Sequence, residues 1–439
     1  MEERILVGVI TLAFIAGLRH RLLLAVRDPT PGGAVILTSM AYLVGATIVH
    51  WRMHNGMSGL VYAVCAVFFL VYLTAFWGCS VFFGLYRKAP EAFGIPSGNR
   101  SGNVKWVFLL ITLMGCIAVT YVTEADRLIA ALFRFVAIGD ATDSVMELRL
   151  GLSSGEGRWM APGYVKQLRD ILMPLAGLLV LLTITRRTAR FLLLSLTLVP
   201  VIALLMISSG QRGPVLLFLM AVFYGVARTI KRTNLSATIV VAPLVVAGVV
   251  AVGSFFVLTS SFISRAEYGD SNTILIFLDR VVTRVPEENV LGATVWGRGA
   301  PFPGVGWLSE VASVLPGTQK TLSNLIMQEL GGSDMGNSPL GIWVDVYYNF
   351  GWWLGLVAAF FVGLFVAFFN HWVNAMRARS WSADMCGLWI SICMLMVLSP
   401  FGFLLYGPFL LSAFLWLITR LDEPGANAAV RTRHSPTIS

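Results

Sequence analysis

Apolar runs of about 17–25 residues recur along the whole chain, each long enough to cross a hydrocarbon core of about 30 Å. Inside lipid, backbone N–H and C=O groups find no water, so such runs must satisfy them within helices or a closed barrel. Runs this long are of helical length, since a spanning strand needs only about 9–11 residues. Composition agrees: 57% of residues are hydrophobic and 13% charged, against roughly half and a quarter in soluble domains. The sequence therefore predicts an all-α, polytopic integral membrane protein, with a single membrane domain over 1–421. The first run, Ile5–Leu18, is no signal peptide. Glu2 and Glu3 dilute the positive leader region, and Arg19-His20-Arg21 follows where a small-residue cleavage site would stand.

Spans are expected near 4–19, 32–52, 57–86, 104–123, 166–185, 190–208, 214–230, 236–260, 340–369, 384–399 and 402–420, about eleven transmembrane helices in all. Basic clusters in short loops mark the cytoplasmic side. The densest are Arg186, Arg187 and Arg190; Arg228, Lys231 and Arg232; Arg377 and Arg379; and Arg420 with Arg431 and Arg433. The resulting alternation puts the N-terminus out and the C-terminus in. Two long segments, 124–165 and 261–339, then fall outside, and the tail 422–439 reads as a disordered cytoplasmic end. At 79 residues, the second segment is too long for a connector. Within the first, Glu124–Ala137 has the spacing of an interfacial amphipathic helix. Within the second, Asn272 caps a predicted helix running to Pro286, and a short helix spans Thr321–Leu330.

The net charge of +9 resides mainly at span ends, which argues for membrane topology and against nucleic acid. All five cysteines fall in apolar runs, so no disulfide framework or Cys/His zinc spacing arises. Neither long loop contains a histidine, because His50 and His54 flank a short turn and His20, His371 and His434 lie inside. No Walker motif, dinucleotide glycine fingerprint or HExxH helix occurs.

Arg280 and Arg284 stand at i, i+4 on one predicted helix face, where like charges repel unless an anion sits between them. Guanidinium groups bind phosphate bidentately, so the pair suits a diphosphate clamp; alternatively Arg284 pairs with Glu288. Arg212, in the turn Gly210-Gln211-Arg212-Gly213-Pro214, either snorkels to lipid phosphate or holds a substrate phosphate. Arg149 and Arg158 in the first loop are further candidates, whereas Lys166 and Asp170 can satisfy each other. Asp345 is expected one to two turns inside the ninth span, after Ser338 as N-cap and Pro339 as the first helical residue. An ionisable group at that depth needs a function or a specific partner. Gly351-Trp352-Trp353-Leu354-Gly355 reads as a helix-packing pattern, and Glu124-Ala125-Asp126 as a weak metal-binding pair or an N-cap.

Three patterns together resemble the Wzy-type polymerases of O-antigen and exopolysaccharide repeat units. They are the outer turn Ser208–Pro214; Leu278-Asp279-Arg280-x-x-x-Arg284 in the large loop; and Asn337-Ser338-Pro339 through Asp345-x-Tyr347-Tyr348-Asn349-Phe350-Gly351. The resemblance implies a GT-C-like helical bundle in the bacterial inner membrane, with a large periplasmic loop containing short helices. It implies periplasmic, metal-independent, inverting block transfer of a growing glycan from undecaprenyl diphosphate onto a new lipid-linked unit. No cofactor is implied. The expected partners are the undecaprenyl-diphosphate-linked oligosaccharide, membrane lipids and a chain-length regulator protein. In chemical terms, Asp345 and Arg280 are the catalytic candidates, with the diphosphate held by Arg280, Arg284, Arg212, Arg149 and Arg158. Sugar binding is assigned to Trp307 and Tyr268. The related O-antigen ligases carry a histidine that the stretch Asp334–Ser338 lacks. Another polyprenyl-dependent glycosyltransferase of the C type and a lipid-linked glycan flippase or transporter stay as competing classes.

Overall fold

A computed structural model describes residues 2–84, 115, 168–183, 201–202, 212–233, 280–296, 307, 340–397 and 407–422. Every regular element among them is helical. In chain order these are α1 (Glu2–Arg27), α2 (Pro31–Met53), α3 (Gly56–Phe82), α4 (Met173–Thr183, entered through a π-turn at Leu168–Leu172) and α5 (Arg212–Thr233). They continue with α6 (Val285–Trp296, entered through a π-turn at Arg280–Arg284), α7 (Ile342–Arg377), α8 (Trp381–Cys393, extended by a 3-10 turn Met394–Met396) and α9 (Pro408–Asp422). The expected spans 104–123 apart from 115, 190–208 apart from 201–202, and 236–260, both predicted helices Glu124–Ala137 and Thr321–Leu330, and the tail beyond Asp422 lie outside the described residues.

Among the described helices, α1, α2, α3 and α7 are long and apolar enough to cross a membrane. Their outward faces are apolar too: Leu12 of α1 is 64% exposed and Trp353 of α7 is 78% exposed. Soluble folds bury such stripes, whereas a lipid-facing helix leaves them bare. The helix α1 runs on through Arg19-His20-Arg21 to Arg27, further than its apolar stretch alone suggests.

Local signals explain the first hairpin. Thr30 caps α2 by accepting from the Gly33 N–H at 3.1 Å, and Pro31 takes the first helical position, where its missing N–H costs nothing. Asn55 and Ser58 form a reciprocal capping box at the start of α3. Among the described helices the most extensive pair is α3 with α7. Their seam is aromatic, with Trp343 5.3 Å from the Tyr72 ring and 6.3 Å from Phe69. Glycines bring the backbones together: a Cβ at Gly363 would meet the Tyr72 carbonyl, and one at Gly355 would meet the Phe68 ring.

The ninth predicted span departs most from expectation. Instead of one straight helix from Pro339, α7 starts at Ile342 with Gly341 as N-cap and breaks at Gly351, where φ is 66° and ψ is −163°. Residues with a Cβ avoid that conformation, so only glycine turns the chain there cheaply. The order of contacts along α3 reverses at this point. Trp343 packs on Tyr72 and Phe69, and then Val344, Tyr347 and Tyr348 share a seam with Leu60, Val61 and Val64. Beyond the break Gly355 returns to Phe68 and Gly363 to Tyr72 and Ala75. Residues 342–350 therefore form a re-entrant half-helix that begins beside the middle of α3 and rises toward its Gly56 end. The arm 352–377 then runs back down, about 39 Å at about 1.5 Å per residue. Of the predicted glycine pair, Gly355 does the packing, while Gly351 turns the chain and has open space around it.

The helix predicted to stop at Pro286 does not stop there, and its first part, 272–279, lies outside the described residues. The π-turn 280–284 leads into α6, which carries Pro286 as its second residue and continues to Trp296. Proline is tolerated in a first helical turn, and it has no N–H to return to the Val282 carbonyl four residues earlier. That carbonyl lies against Gly45 of α2, where any Cβ would overlap it. One glycine thus seats the loop helix on the bundle.

Candidate functional site

The half-helix 342–350 and α6 meet around two asparagines and one aspartate. Asp345 is fully buried at 0% exposure. It lies in the first turn of α7, one turn earlier than expected, and its N–H donates to the Gly341 carbonyl at 2.9 Å. The N-cap of α7 is Gly341, where a Cβ would overlap the Tyr42 ring, and Ser338, the expected cap, lies outside the described residues. A carboxylate in the first turn interacts favourably with the positive end of the helix dipole, which offsets part of the cost of burying it.

Two donors among the described residues reach it. The Trp307 indole Nε1–H donates to Asp345 Oδ2 at 2.8 Å, and the Asn349 amide donates to Oδ1 at 3.2 Å. Asn349 Oδ1 in turn accepts from the Trp307 backbone N–H at 2.9 Å, and the Trp307 ring meets Phe350 edge-on at 4.6 Å. One loop residue is therefore held at its backbone, its indole nitrogen and its ring by three positions of the half-helix. The role expected for Trp307, sugar binding, gives no hint of this anchoring.

Asn289, which sequence reasoning missed, joins α6 to the same assembly. It is fully buried. Its Oδ1 accepts from the Gly341 N–H at 3.3 Å, its amide donates to the Val285 carbonyl, and its own carbonyl accepts from the Tyr348 hydroxyl at 2.7 Å. The signal available in the sequence was an isolated amide on the otherwise apolar face Val285, Asn289, Val290, Ala293. Upstream of it stands the arginine-bearing turn. Arg284 donates through Nε to Glu288 Oε1 at 2.8 Å, which is the local pairing the sequence allowed as the alternative to a clamp. Glu287 faces Arg52 of α2 at 3.6 Å.

Arg280 opens the π-turn 280–284, a rare geometry that is frequent at functional sites, and Leu168–Leu172 forms a second such turn. Arg212 is the first residue of α5. Arg228 of the same helix pairs with Asp28 and Asp384 at the end of the bundle formed by Arg27 and Pro31. Sixteen residues of helix separate Arg212 from Arg228, about 24 Å, so Arg212 is displaced toward the opposite end, where α3 begins. Arg149, Arg158, Tyr268, Lys166, Glu124 and Asp126 lie outside the described residues. The structure thus brings Asp345 and Trp307 into contact, and seats the Arg280–Arg284 turn on α2, one end of the same α6 that Asn289 joins to the half-helix.

The opposite end of the bundle holds a second polar cluster. Arg377, 4% exposed, donates to Asp384 at 3.1 Å, to Asp28 at 3.1 Å and to the Pro29 carbonyl at 3.0 Å. Arg228 reaches the same two carboxylates. Two of the cations taken as topology markers are in fact packed in a four-residue ion network. Burial raises the Asp28 carboxyl, but the guanidinium groups of Arg377 and Arg228 outweigh it and hold it below its ordinary value. Its side chain is still 62% exposed, so its share of the network is solvent-screened.

Comparison with family models, curated proteins and solved structures returns no match. The functional reading accordingly stands on the chemistry of these residues and on the sequence motifs.

Proposed function

We propose that this chain is a membrane glycosyltransferase that polymerises glycan units carried on a lipid diphosphate, undecaprenyl diphosphate in the bacterial inner membrane, with the site on the periplasmic side. The observation that carries the reading is the assembly built on Asn289, which holds α6, the helix that continues from the Arg280–Arg284 turn of the large loop, against the half-helix bearing Asp345. A transfer of this kind needs two chemical elements at one place: a group to take a proton and cations to receive a phosphate leaving group. In the reaction, an acceptor sugar hydroxyl attacks the anomeric carbon of the donor glycan. The bond from that carbon to the diphosphate oxygen breaks, the glycan inverts at that centre, and the hydroxyl proton passes to a base. We assign the last role to the Asp345 carboxylate. Its hydrogen bond from Trp307 must open first, because the carboxylate is fully covered. Charge growing on the departing diphosphate falls to arginines, with Arg280 first among them.

The broken helix also fits the transporter reading, since discontinuous helices commonly line transport sites. Deletion of the gene separates the two. The polymerase reading expects cells that display single-unit glycan and no long chains. Loss of even the single unit from the surface would instead assign the chain to export.

Arg280 gives a residue-level test. Arg280→Lys should shorten chains nearly as severely as Arg280→Ala, because lysine keeps the charge and loses the planar two-donor fork. Arg284→Lys should do less, because its Nε is engaged locally by Glu288. Chain-length distributions on gels, normalised to protein level, provide the readout. Wild-type chain lengths in Arg280→Lys would remove Arg280 from the site and leave Arg212 as the leading cation.

A further inference from the structure

The turn between α2 and α3 gathers two histidines and a carboxylate. His54 closes α2 in the left-handed conformation, with φ 45°, and donates its N–H to the His50 carbonyl at 2.9 Å. That fold-back sets the two imidazole rings 5.7 Å apart. Ser58, in the first turn of α3, has its hydroxyl 2.8 Å from the Asn55 carbonyl and 3.2 Å from the Asn55 N–H. The single hydroxyl proton goes to the carbonyl, so His50 Nδ1, 2.9 Å from the same oxygen, carries the proton of that bond. In the neutral ring, Nε2 then presents its lone pair. It is buried without a hydrogen-bond partner and faces Glu3 Oε1 at 3.6 Å.

A lone pair facing a carboxylate is repulsive unless a positive charge stands between them. A proton on Nε2 is one solution and a metal ion is the other. His54 favours the metal. A second imidazole beside a protonated His50 adds nothing, whereas ligand atoms of Glu3, His50 and His54 lie within 4.8 Å of one another, as ligands of one ion would after a small tightening. We propose that Glu3, His50 and His54 bind one divalent transition-metal ion of the zinc class. Imidazole with carboxylate suits zinc, copper or nickel better than magnesium or calcium, and three protein ligands leave a position for water. Ser58 is the partner that fixes the His50 tautomer and aims Nε2 at the ion. The ion clasps the first turn of α1 to the α2–α3 turn. Arg52, two residues from His50, pairs with Glu287 of α6, so the clasp stands next to the helix that carries Asn289. Nothing in this assignment depends on the glycan chemistry.

The test uses full-length protein purified in detergent through a tag without histidines, stripped with chelator, and titrated with Zn²⁺ against a chromophoric chelator. About one equivalent should bind. His54→Asn keeps a residue that tolerates the left-handed turn and removes the ligand; Glu3→Gln changes a side chain 63% exposed. Each should weaken binding at least about tenfold, and Ser58→Ala by about 10–100-fold. Glu3→Gln alone carries the test if His54→Asn does not fold. Absence of Zn²⁺ binding, which would mean that His50 and Glu3 share only a proton, overturns the proposal. So does wild-type affinity in the Glu3 variant.

Discussion

Asp345→Asn is expected to abolish chain extension, by about 10²–10⁴-fold if the carboxylate is the base, while the protein still accumulates in the membrane. The substitution keeps the shape and one acceptor oxygen. The Trp307 indole and the Asn349 amide, which now donate to separate oxygens, would then compete for it. One donor left unsatisfied costs about 1–3 kcal/mol, enough to lower the thermal midpoint without unfolding the chain. Loss of activity alone would not separate a base from a residue that merely anchors Trp307. Trp307→Phe does separate them. It removes the indole N–H and keeps an aromatic ring against Phe350. If Asp345 works only by holding Trp307, the phenylalanine variant should be as inactive as Asp345→Asn. If the carboxylate takes the proton, Trp307→Phe should retain turnover, because the base itself is kept. Full chain lengths in Asp345→Asn would remove the residue from the chemistry altogether.

The membrane class was legible because length and apolarity of a run are local properties, and α2 and α3 lie close to their expected bounds, whereas α1 runs eight residues past its own. Asp345 was legible as well, since an acid among Trp343, Val344, Val346 and Tyr347 needs an explanation wherever it sits. Its partner was not. Trp307 is 38 residues away in a loop, and no spacing rule links an indole to a carboxylate across such a distance. Gly351 misled for a related reason. A glycine that lets helices touch and one that reverses the chain read alike as letters, and only the φ of 66° tells them apart. The carboxylate partners of two cations were missed for a different reason. The positive-inside rule accounts for Arg228 and Arg377 as charges near a span end, so it offers no reason to look for their carboxylates. Asp28 and Asp384 reach them from two other interhelical turns or helix starts. The histidines are a milder case: a fragment of ordinary turn sequence, His50 to His54, gains chemical meaning only when Glu3 of another helix arrives beside it.

That ion network carries the largest stability effect expected in the described bundle. Asp384 is 3% exposed and accepts from both Arg377 and Arg228. Asp384→Asn removes the charge that lets Arg377 remain buried, and breaking a buried pair from one side costs about 3–5 kcal/mol. Removing both partners should cost much less. In the double variant Arg377→Met with Asp384→Leu, the outer members Arg228 and Asp28 still face each other, and the methionine stem can follow the path of the arginine over Gly387. A Cβ at Gly387 would overlap that stem, so the glycine is what makes room for it. Thermal midpoints in detergent, followed by tryptophan fluorescence, should therefore fall sharply for Asp384→Asn and recover in the double variant. The network should also weaken in acid. A carboxyl held below its ordinary value in the folded protein stabilises it above the unfolded value, and that contribution fades as pH drops through the folded one, so Asp28 adds to stability at neutral pH and ceases to in strong acid. A single variant as stable as wild type would mean that Arg377 finds its compensation in the Pro29 carbonyl and Asp28 alone, and that Asp384 serves only to start α8.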